Sequence, residues 1–251
     1  MSQESVFEKY AHEYDLMTNA KERVKPHSRE VEALIEHFGP TRVLDAGCAN
    51  GLTTSLFAKR GIEAVGLDKS RRMIAEAKAR YGISNLPISF RYGLFERLPK
   101  VLDQRFDLVV CLANALSGLG TKQALRLALA GFKRVLRPSG GLAVQILNYR
   151  AVREGEVFPV KATQQGRTGY LRFVRRTGRK IELTMVRLDL SKRPFGFEVF
   201  SHEVAGLLPS VLTDAVRAAG FRSLRKYGNL RLESPFRQDS RDLILLARKP
   251  A

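Results

Sequence analysis

The sequence predicts an α/β fold: a seven-stranded, mostly parallel sheet covered by helices on both faces, with an antiparallel β-subdomain inserted after the fifth strand. Three observations predict it. Over the first 150 residues, short apolar runs alternate with segments of helical periodicity. Those runs are apolar nearly throughout, as strands buried on both faces must be. After about residue 155 the period changes to two around a Thr-Gly turn, the pattern of a hairpin.

Each element follows from its own residues. Residues 28–38, SREVEALIEHF, set Val31, Leu34, Ile35 and Phe38 at helical spacing. RVLDAG then reads as a buried strand and LTTSLFAKR as a helix. EAVGLD is a second strand, and SRRMIAEAKARYG a second helix ending at Gly82. PISFRYG and RFDLVVCLAN are strands three and four. TKQALRLALAGFKRVLRP is a long amphipathic helix closed by Pro138, and GGLAVQILNY is strand five. In the insertion, GYLRFVRRTGRKIELTMVRLDL places Leu171 and Phe173 on one face and Arg172 on the other. Ile181, Leu183 and Met185 share a face of the following strand. The apolar faces are expected to pack toward the domain and to leave Arg172 in water. LLPSVLTDAVRAAG returns to helical spacing, and Phe221–Tyr227 and DLILLARK supply the last two strands.

Composition bounds the function. A chain of 251 residues, 44% apolar, suffices for one large domain with a core. No run of eighteen apolar residues occurs, and the first twenty residues lack the apolar core of a signal peptide. Cys48 and Cys111 form no CxxC pair, so the expectation is two reduced cysteines in the cytoplasm, no metal site and no membrane association. The net charge is +18, and residues 150–193 hold twelve Lys and Arg against four acids. Such a surplus suits an anionic substrate or RNA. For the turn that bears Arg175, Arg176 and Arg179, the plainer reading is a solvated face that protects an edge strand.

The chemistry gathers at VLDAGCANG, residues 43–51. A strand, a glycine turn and a helix start leave backbone N–H groups free to face a ligand. Asp68, seventeen residues beyond Gly51, ends the second strand, where a carboxylate can accept both hydroxyls of a ribose. A dinucleotide site would have glycine where Asp45 stands. This carboxylate would repel a pyrophosphate and suit a cation such as S-adenosylmethionine (SAM), with its sulfonium and ammonium.

VLDAGCANG, VGLDKS, the Gly93-Leu94-Phe95 turn, FDLVVCLAN and VLRPSGG together resemble the ordered motifs of class I SAM-dependent methyltransferases. The resemblance covers roughly residues 5–150 and the last two strands. It implies six parallel strands with the last antiparallel, and SAM as cofactor. It divides the single domain into a helical cap (1–40), a SAM-binding core (41–150), the inserted β-subdomain (151–205) and a closing helix with two strands (206–251). By the resemblance, Asp45, Gly47, Cys48 and Ala49 border the methionine part of the cofactor. Asp68 holds the ribose, Lys69 lies beside the adenine, and Leu94 and Phe95 flank it. Leu112 and Ala113 face the sulfonium, and Tyr14 belongs to an N-terminal segment that folds over the cofactor. There are two departures: Ala49 stands for the usual middle glycine, and Leu94 for the usual aspartate that reads the adenine.

The ends of strands four and five, CLANALSGL and QILNYR, resemble glycine N-methyltransferase and the small-amine and amino-sugar N-methyltransferases. Asn114, Asn148 and Tyr149 match that group. The arginine that clamps the substrate carboxylate in the glycine enzyme is here Leu147, which implies an acceptor other than glycine. Asn114, Tyr149 and His202 are the candidate catalytic residues, His202 as a base for a hydroxyl acceptor. Asp107 is expected to be structural. The expected reaction is in-line methyl transfer to a small molecule, at nitrogen rather than oxygen, driven by positioning and desolvation. The alternatives are an RNA methyltransferase using the basic surface and a non-catalytic SAM-binding partner protein. Against RNA, the sequence has no added RNA-binding module and no Asn-Pro-Pro-Tyr or catalytic cysteine motif. A dimer is compatible with the sequence.

Overall fold

The computed structural model describes residues 6–98, 102, 105–178, 180–204 and 206–251. Residues 1–5 of the expected cap, Arg179 of the basic turn and Ala205 at the end of the expected insertion lie outside the described residues. Two short helices, α1 (Val6–Lys9) and α2 (Tyr14–Thr18), precede α3 (Ala20–Phe38). The alternating part runs β1 (Arg42–Ala46), α4 (Leu52–Ala58), β2 (Glu63–Asp68), α5 (Arg71–Tyr81) and β3 (Ile88–Tyr92). It continues with β4 (Phe106–Cys111), α6 (Lys122–Val135) and β5 (Leu136–Leu147). The insertion is β6 (Val157–Gln165), β7 (Thr168–Thr177), β8 (Lys180–Asp189) and β9 (Gly196–Val204). The chain closes with α7 (Pro209–Ala218), β10 (Arg222–Tyr227) and β11 (Asp242–Arg248).

The main sheet has the order β10-β11-β5-β4-β1-β2-β3. β11 pairs antiparallel with both β10 and β5, and the other neighbours are parallel. The all-apolar strands are explained by burial on both sides. Leu44, Val109 and Val144 face Phe132, Val135 and Val216 from α6 and α7. Val43, Leu108 and Val110 face Val31 and Leu34 of α3 and Phe57 of α4. β1 lies between β2 and β4, so the winding direction reverses there. A crevice opens at that reversal, beyond the carboxyl ends of the strands.

Two boundaries differ from the sequence reading. α3 starts at Ala20, not Ser28, and runs through Pro26. A proline inside a helix removes one backbone donor, but the buried face of Ala20, His27, Val31 and Leu34 carries the helix past it. α6 ends at Val135, and Pro138 sits in the first part of β5. The pairing register with β4 shifts between Phe106 and Leu108 there, which tolerates a residue without a donor.

The insertion forms a second, all-antiparallel sheet in the order β6-β7-β8-β9. Lys161, Arg172, Met185 and Phe200 are paired across it and share one face. That face covers the N-terminal helices: Val6 and Met17 form a buried cluster with Tyr170, Met185 and Phe200. The expected facing of β7 is therefore inverted. Tyr170, Arg172 and Val174 turn inward, and Leu171 is 42% exposed. Either face of β7 offers two large apolar side chains, so alternation alone does not choose between them. Tyr170 finds the N-terminal helices, and Val174 joins Leu147 and Tyr149 in a buried cluster. Those contacts fix the choice. The helices are tied to this sheet by charge. Glu13 accepts two bonds from Arg187, at 2.9 and 2.7 Å, and a third from the Tyr170 hydroxyl. Lys9 and Tyr10 both donate to Glu198. Among the described residues, no helix is long and apolar enough to cross a membrane.

Gly51 precedes α4 at φ +85°, and a Cβ there would stand 2.7 Å from the Phe90 ring. Gly51→Ala combines left-handed strain with overpacking and should cost roughly 2–5 kcal/mol. Urea denaturation checks this; an unchanged midpoint would show that the turn does not need glycine here.

Candidate functional site

At the end of β1 the chain turns sharply at Gly47, φ +88°. The N–H groups of Gly47 and Cys48 both donate to the Leu67 carbonyl of β2, at 2.7 and 3.1 Å. A Cβ on Gly47 would lie 2.7 Å from Ala115 Cβ and 3.4 Å from Phe95 Cζ. The turn therefore rests directly on the loop after β4 and on Phe95. Beyond it, the Ala49 N–H donates to Asp68 Oδ2 at 2.9 Å, and the Ser70 N–H donates to Oδ1 at 2.9 Å. These donors orient the carboxylate and leave each oxygen a further lone pair. Burial raises the Asp68 pKa, and the two backbone bonds oppose that rise.

Asp45 is 2% exposed and accepts from Thr54 Oγ1 at 2.7 Å. Burial, with the charge of Asp68 adding to it, pushes its carboxyl up to about 7. Among the described residues no cation pairs with Asp45. Tyr14, Asp45, Gly47, Cys48, Ala49, Leu112 and Ala113 line one cavity. These are seven of the residues expected there. α2 forms its roof, where Asn50 Nδ2 donates to Asp15 Oδ1 at 2.6 Å and Arg80 pairs with Asp15 at 2.6 Å. Asp68 and Phe95 are not in this lining; they stand behind it, Asp68 bonded by the Ala49 N–H and Phe95 beside Gly47. Lys69, Leu94 and His202 are not in its lining.

His202 stands on the inward face of β9, opposite Leu183. Its surface is largely open, yet partial burial of the ring and the charge of Lys69 lower its pKa. Asn114 and Tyr149 are brought together in a different way. Asn114 Nδ2 donates to the Tyr149 hydroxyl at 2.7 Å, and Asn114 Oδ1 accepts from Ser117 Oγ at 2.7 Å and Leu147 N at 3.0 Å. Tyr149 is fully buried. The pair stitches the end of β4 to the end of β5 and so holds Ala113 against the cavity. Asn148 donates to the carbonyls of Gln238 and Ser240, at 2.9 and 2.8 Å, and pins that loop. Leu147 packs in the cluster with Val174, and no charge stands at that position. Asp107 lies at the start of the central strand β4, at the end of the strands away from the cavity, where it accepts from the Thr41 and Arg42 N–H groups and pairs with Arg137. Both cysteines are free and buried, and burial holds their thiols well above the ordinary range.

The sequence reading missed five cavity residues: Thr18, Arg23, Asn50, Leu52 and Thr53. Asn50 lies within the VLDAGCANG turn, but its partner Asp15 is 35 positions away. Arg23 lies on a helix segment with no local motif to mark it.

Sheet order, the antiparallel last strand and the glycine turn define the class I methyltransferase fold. Residues 43–140 match the model of a methyltransferase domain family. The putative methyltransferase YqeM of Bacillus subtilis (strain 168) is 29% identical over 155 residues, which is 61% of this chain and 60% of that protein. Glycine N-methyltransferase of Rattus norvegicus is 27% identical over 142 residues, 52% of this chain and 48% of that enzyme. The chain thus matches about half to three-fifths of the length of these relatives. The SAM-bound structure of CalS10, an amino pentose methyltransferase from Micromonospora echinaspora, has a TM-score of 0.70 and 21% identity, covering 99% of this chain and 100% of that one.

Ala49 adopts φ +47°, the left-handed region, at the position where the resemblance implies glycine. Ala49→Gly should relieve that strain and stabilise the fold by about 1 kcal/mol. A lower urea midpoint in the variant would mean that the methyl group is held by packing.

Proposed function

We propose that the chain transfers a methyl group from SAM to a nitrogen of a small-molecule acceptor. The observation that carries this reading is the cavity that joins the glycine turn to Asp45, a buried carboxylate without a cationic partner among the described residues. A phosphate-bearing cofactor would meet repulsion there, whereas a ligand with a sulfonium and an ammonium supplies the missing charge. Arg23, on the same lining, suits the carboxylate of an amino-acid moiety. When bound, SAM supplies an electrophilic methyl group on its sulfonium. The protein's part is to orient and to exclude water. Asp68 accepts from ribose hydroxyls, Leu112 and Ala113 offer an apolar wall, and Tyr14 on α2 covers the cavity. His202 stands on the inserted sheet, outside the lining of this cavity.

The nitrogen preference draws support from the rat relative, a glycine N-methyltransferase, and from CalS10, an amino pentose methyltransferase. Against an RNA acceptor, three cations of the insertion's basic turn are met by nearby acids. Arg175 pairs with Glu182 at 3.2 Å, Arg176 with Glu154 at 3.6 Å and Lys180 with Glu203 at 3.7 Å. Exposed pairs of this kind contribute little to stability, but they reduce the surface charge open to a polyanion.

Asp68→Ala should weaken SAM binding by roughly 1.5–3 kcal/mol, about ten- to 150-fold, through loss of a charged acceptor. Titration calorimetry that finds equal affinity would remove Asp68 from the site.

Asp45 predicts a pH dependence with a definite sign. Its pKa is raised in the folded protein, from 3.8 to about 7, so the folded state retains a proton that the unfolded chain releases. This group favours the fold most fully below pH 4, and that contribution declines as pH rises toward 7. A cation binds the deprotonated form, so SAM affinity should rise roughly tenfold between about pH 6 and pH 8. Asp45→Asn should flatten that profile. A wild-type affinity independent of pH would count against Asp45 as the partner of the cation.

A further inference from the structure

Arg172 is the anomaly of the insertion. It lies on the inward face of β7, and its Nε and Nη2 are fully buried without a hydrogen-bond partner among the described residues. An unpaired buried guanidinium is costly, because it gives up water and gains no acceptor in return. Nε–H and Nη2–H lie on one edge of the planar group and point the same way. That edge fits the two oxygens of one carboxylate or phosphate.

The surroundings are those of an anion site. Lys161 faces Arg172 directly across the pair of strands, and its Nζ donates to the Thr18 carbonyl at 2.6 Å. Burial lowers the Lys161 pKa first, and then the charges of Arg23, Arg172 and Arg241 lower it further. Arg172 is lowered by burial and by Arg23, while Tyr14 acts in the opposite sense. Glu22, the acid that acts on Lys161, is itself bonded by Asn19. Three cations from α3, β6 and β7 therefore gather beside Tyr14 and Thr18 at the cavity roof, and the two acids that act on them, Asp15 on Arg23 and Glu22 on Lys161, are bonded to other partners. Arg23 lines the cavity itself, whereas Arg172 is not in the lining and lies beside Tyr14, which is. The strand that bears Arg172 also packs Val174 against Leu147, at the end of β5.

We infer that Arg172, flanked by Lys161, seats an oxyanion carried by the methyl acceptor, so that the substrate is an amine bearing a carboxylate or a phosphate group. The inference rests on the methyltransferase reading for the word acceptor, and on the unpaired donor edge of Arg172 for the oxyanion.

The test uses the full chain, with and without saturating S-adenosylhomocysteine, and follows its melting temperature against acetate, inorganic phosphate and chloride at equal ionic strength. The expected result is stabilisation by acetate, by phosphate or by both, beyond that of chloride. A response to acetate alone identifies a carboxylate acceptor, and one to phosphate alone a phosphorylated one. Arg172→Met should abolish the response and leave S-adenosylhomocysteine affinity within about twofold. Without anion, the variant should melt no lower than the wild type, because an unpaired buried charge has gone. Arg172→Lys keeps the charge and loses the two-donor edge, so it should reduce the response several-fold and provides the comparison if the methionine variant does not fold. Three results overturn the inference: no wild-type response beyond chloride, a full response in either variant, or a loss of S-adenosylhomocysteine affinity beyond about tenfold in Arg172→Met, which would assign the guanidinium to the cofactor. Failure of the wild type to bind S-adenosylhomocysteine would sink the methyltransferase reading instead, while the anion series without it would still report on the seat.

Discussion

The site depends on one constraint: the turn after β1 must lie flat against two neighbours at once. Gly47 and Cys48 direct both their N–H groups at a single carbonyl of β2, while the other side of the turn touches Ala115 and Phe95. No side chain fits between these surfaces. With the turn fixed, the Ala49 N–H reaches Asp68, and Asp45 is left below the turn in the core of the sheet. The loop after β4 must meet the same turn from the other side, and Ala113 and Asn114 both adopt left-handed backbone to do so. That conformation is held by Gln145, whose side-chain and main-chain oxygens accept from Ala113 and Asn114 at 3.1 and 3.2 Å. Strain on one wall is thus offset by hydrogen bonds from the next strand.

Charge is sorted across the cavity. Asp45 and Asp68 lie on the side of the main sheet, and Arg23, Lys161 and Arg172 lie toward the roof. Burial is the first cause of the raised carboxyls and of the lowered lysine and arginine, and like charges add to it: Asp68 raises Asp45, and Arg23 lowers both Lys161 and Arg172. Unit charges about 4 Å apart interact by roughly 4 kcal/mol at an effective dielectric constant of 20, so a partly dry cavity makes this sorting selective. It favours ligands with a cationic centre and an anionic end, and disfavours those with only phosphate to present to the floor.

Much of this was legible in the sequence because it is local. Asp45, Gly47, Ala49 and Asp68 are read from one turn and the end of the next strand, where geometry follows from spacing. The parallel sheet was legible because strands buried on both faces carry apolar residues at every position. The facing of β7 was not legible. Tyr170 and Val174 compete with Leu171 and Phe173, and only the partners from distant helices decide the outcome. Arg23 and the Asn50–Asp15 contact were hidden for the same reason: they join segments far apart in the chain. Asn114 and Tyr149 were found by resemblance, but the bonds they make are to each other and to the ends of two strands.

The inserted sheet connects anchoring with recognition through its register. Successive inward positions of β7 are Tyr170, Arg172 and Val174, roughly 7 Å apart along the strand. The first bonds to Glu13 on the N-terminal segment, the second is the unpaired guanidinium, and the third packs on the end of β5. A slip of one residue would replace them with Leu171, Phe173 and Arg175, removing the anchor and the charge together. The Thr177-Gly178 turn and the irregular pairing between Pro159 and Lys161 set that register. Their geometry therefore constrains what reaches the cavity as much as the residues that line it. The bidentate bond between Glu13 and Arg187 then holds the N-terminal roof to the same face, against the repulsion of the cations gathered beside it.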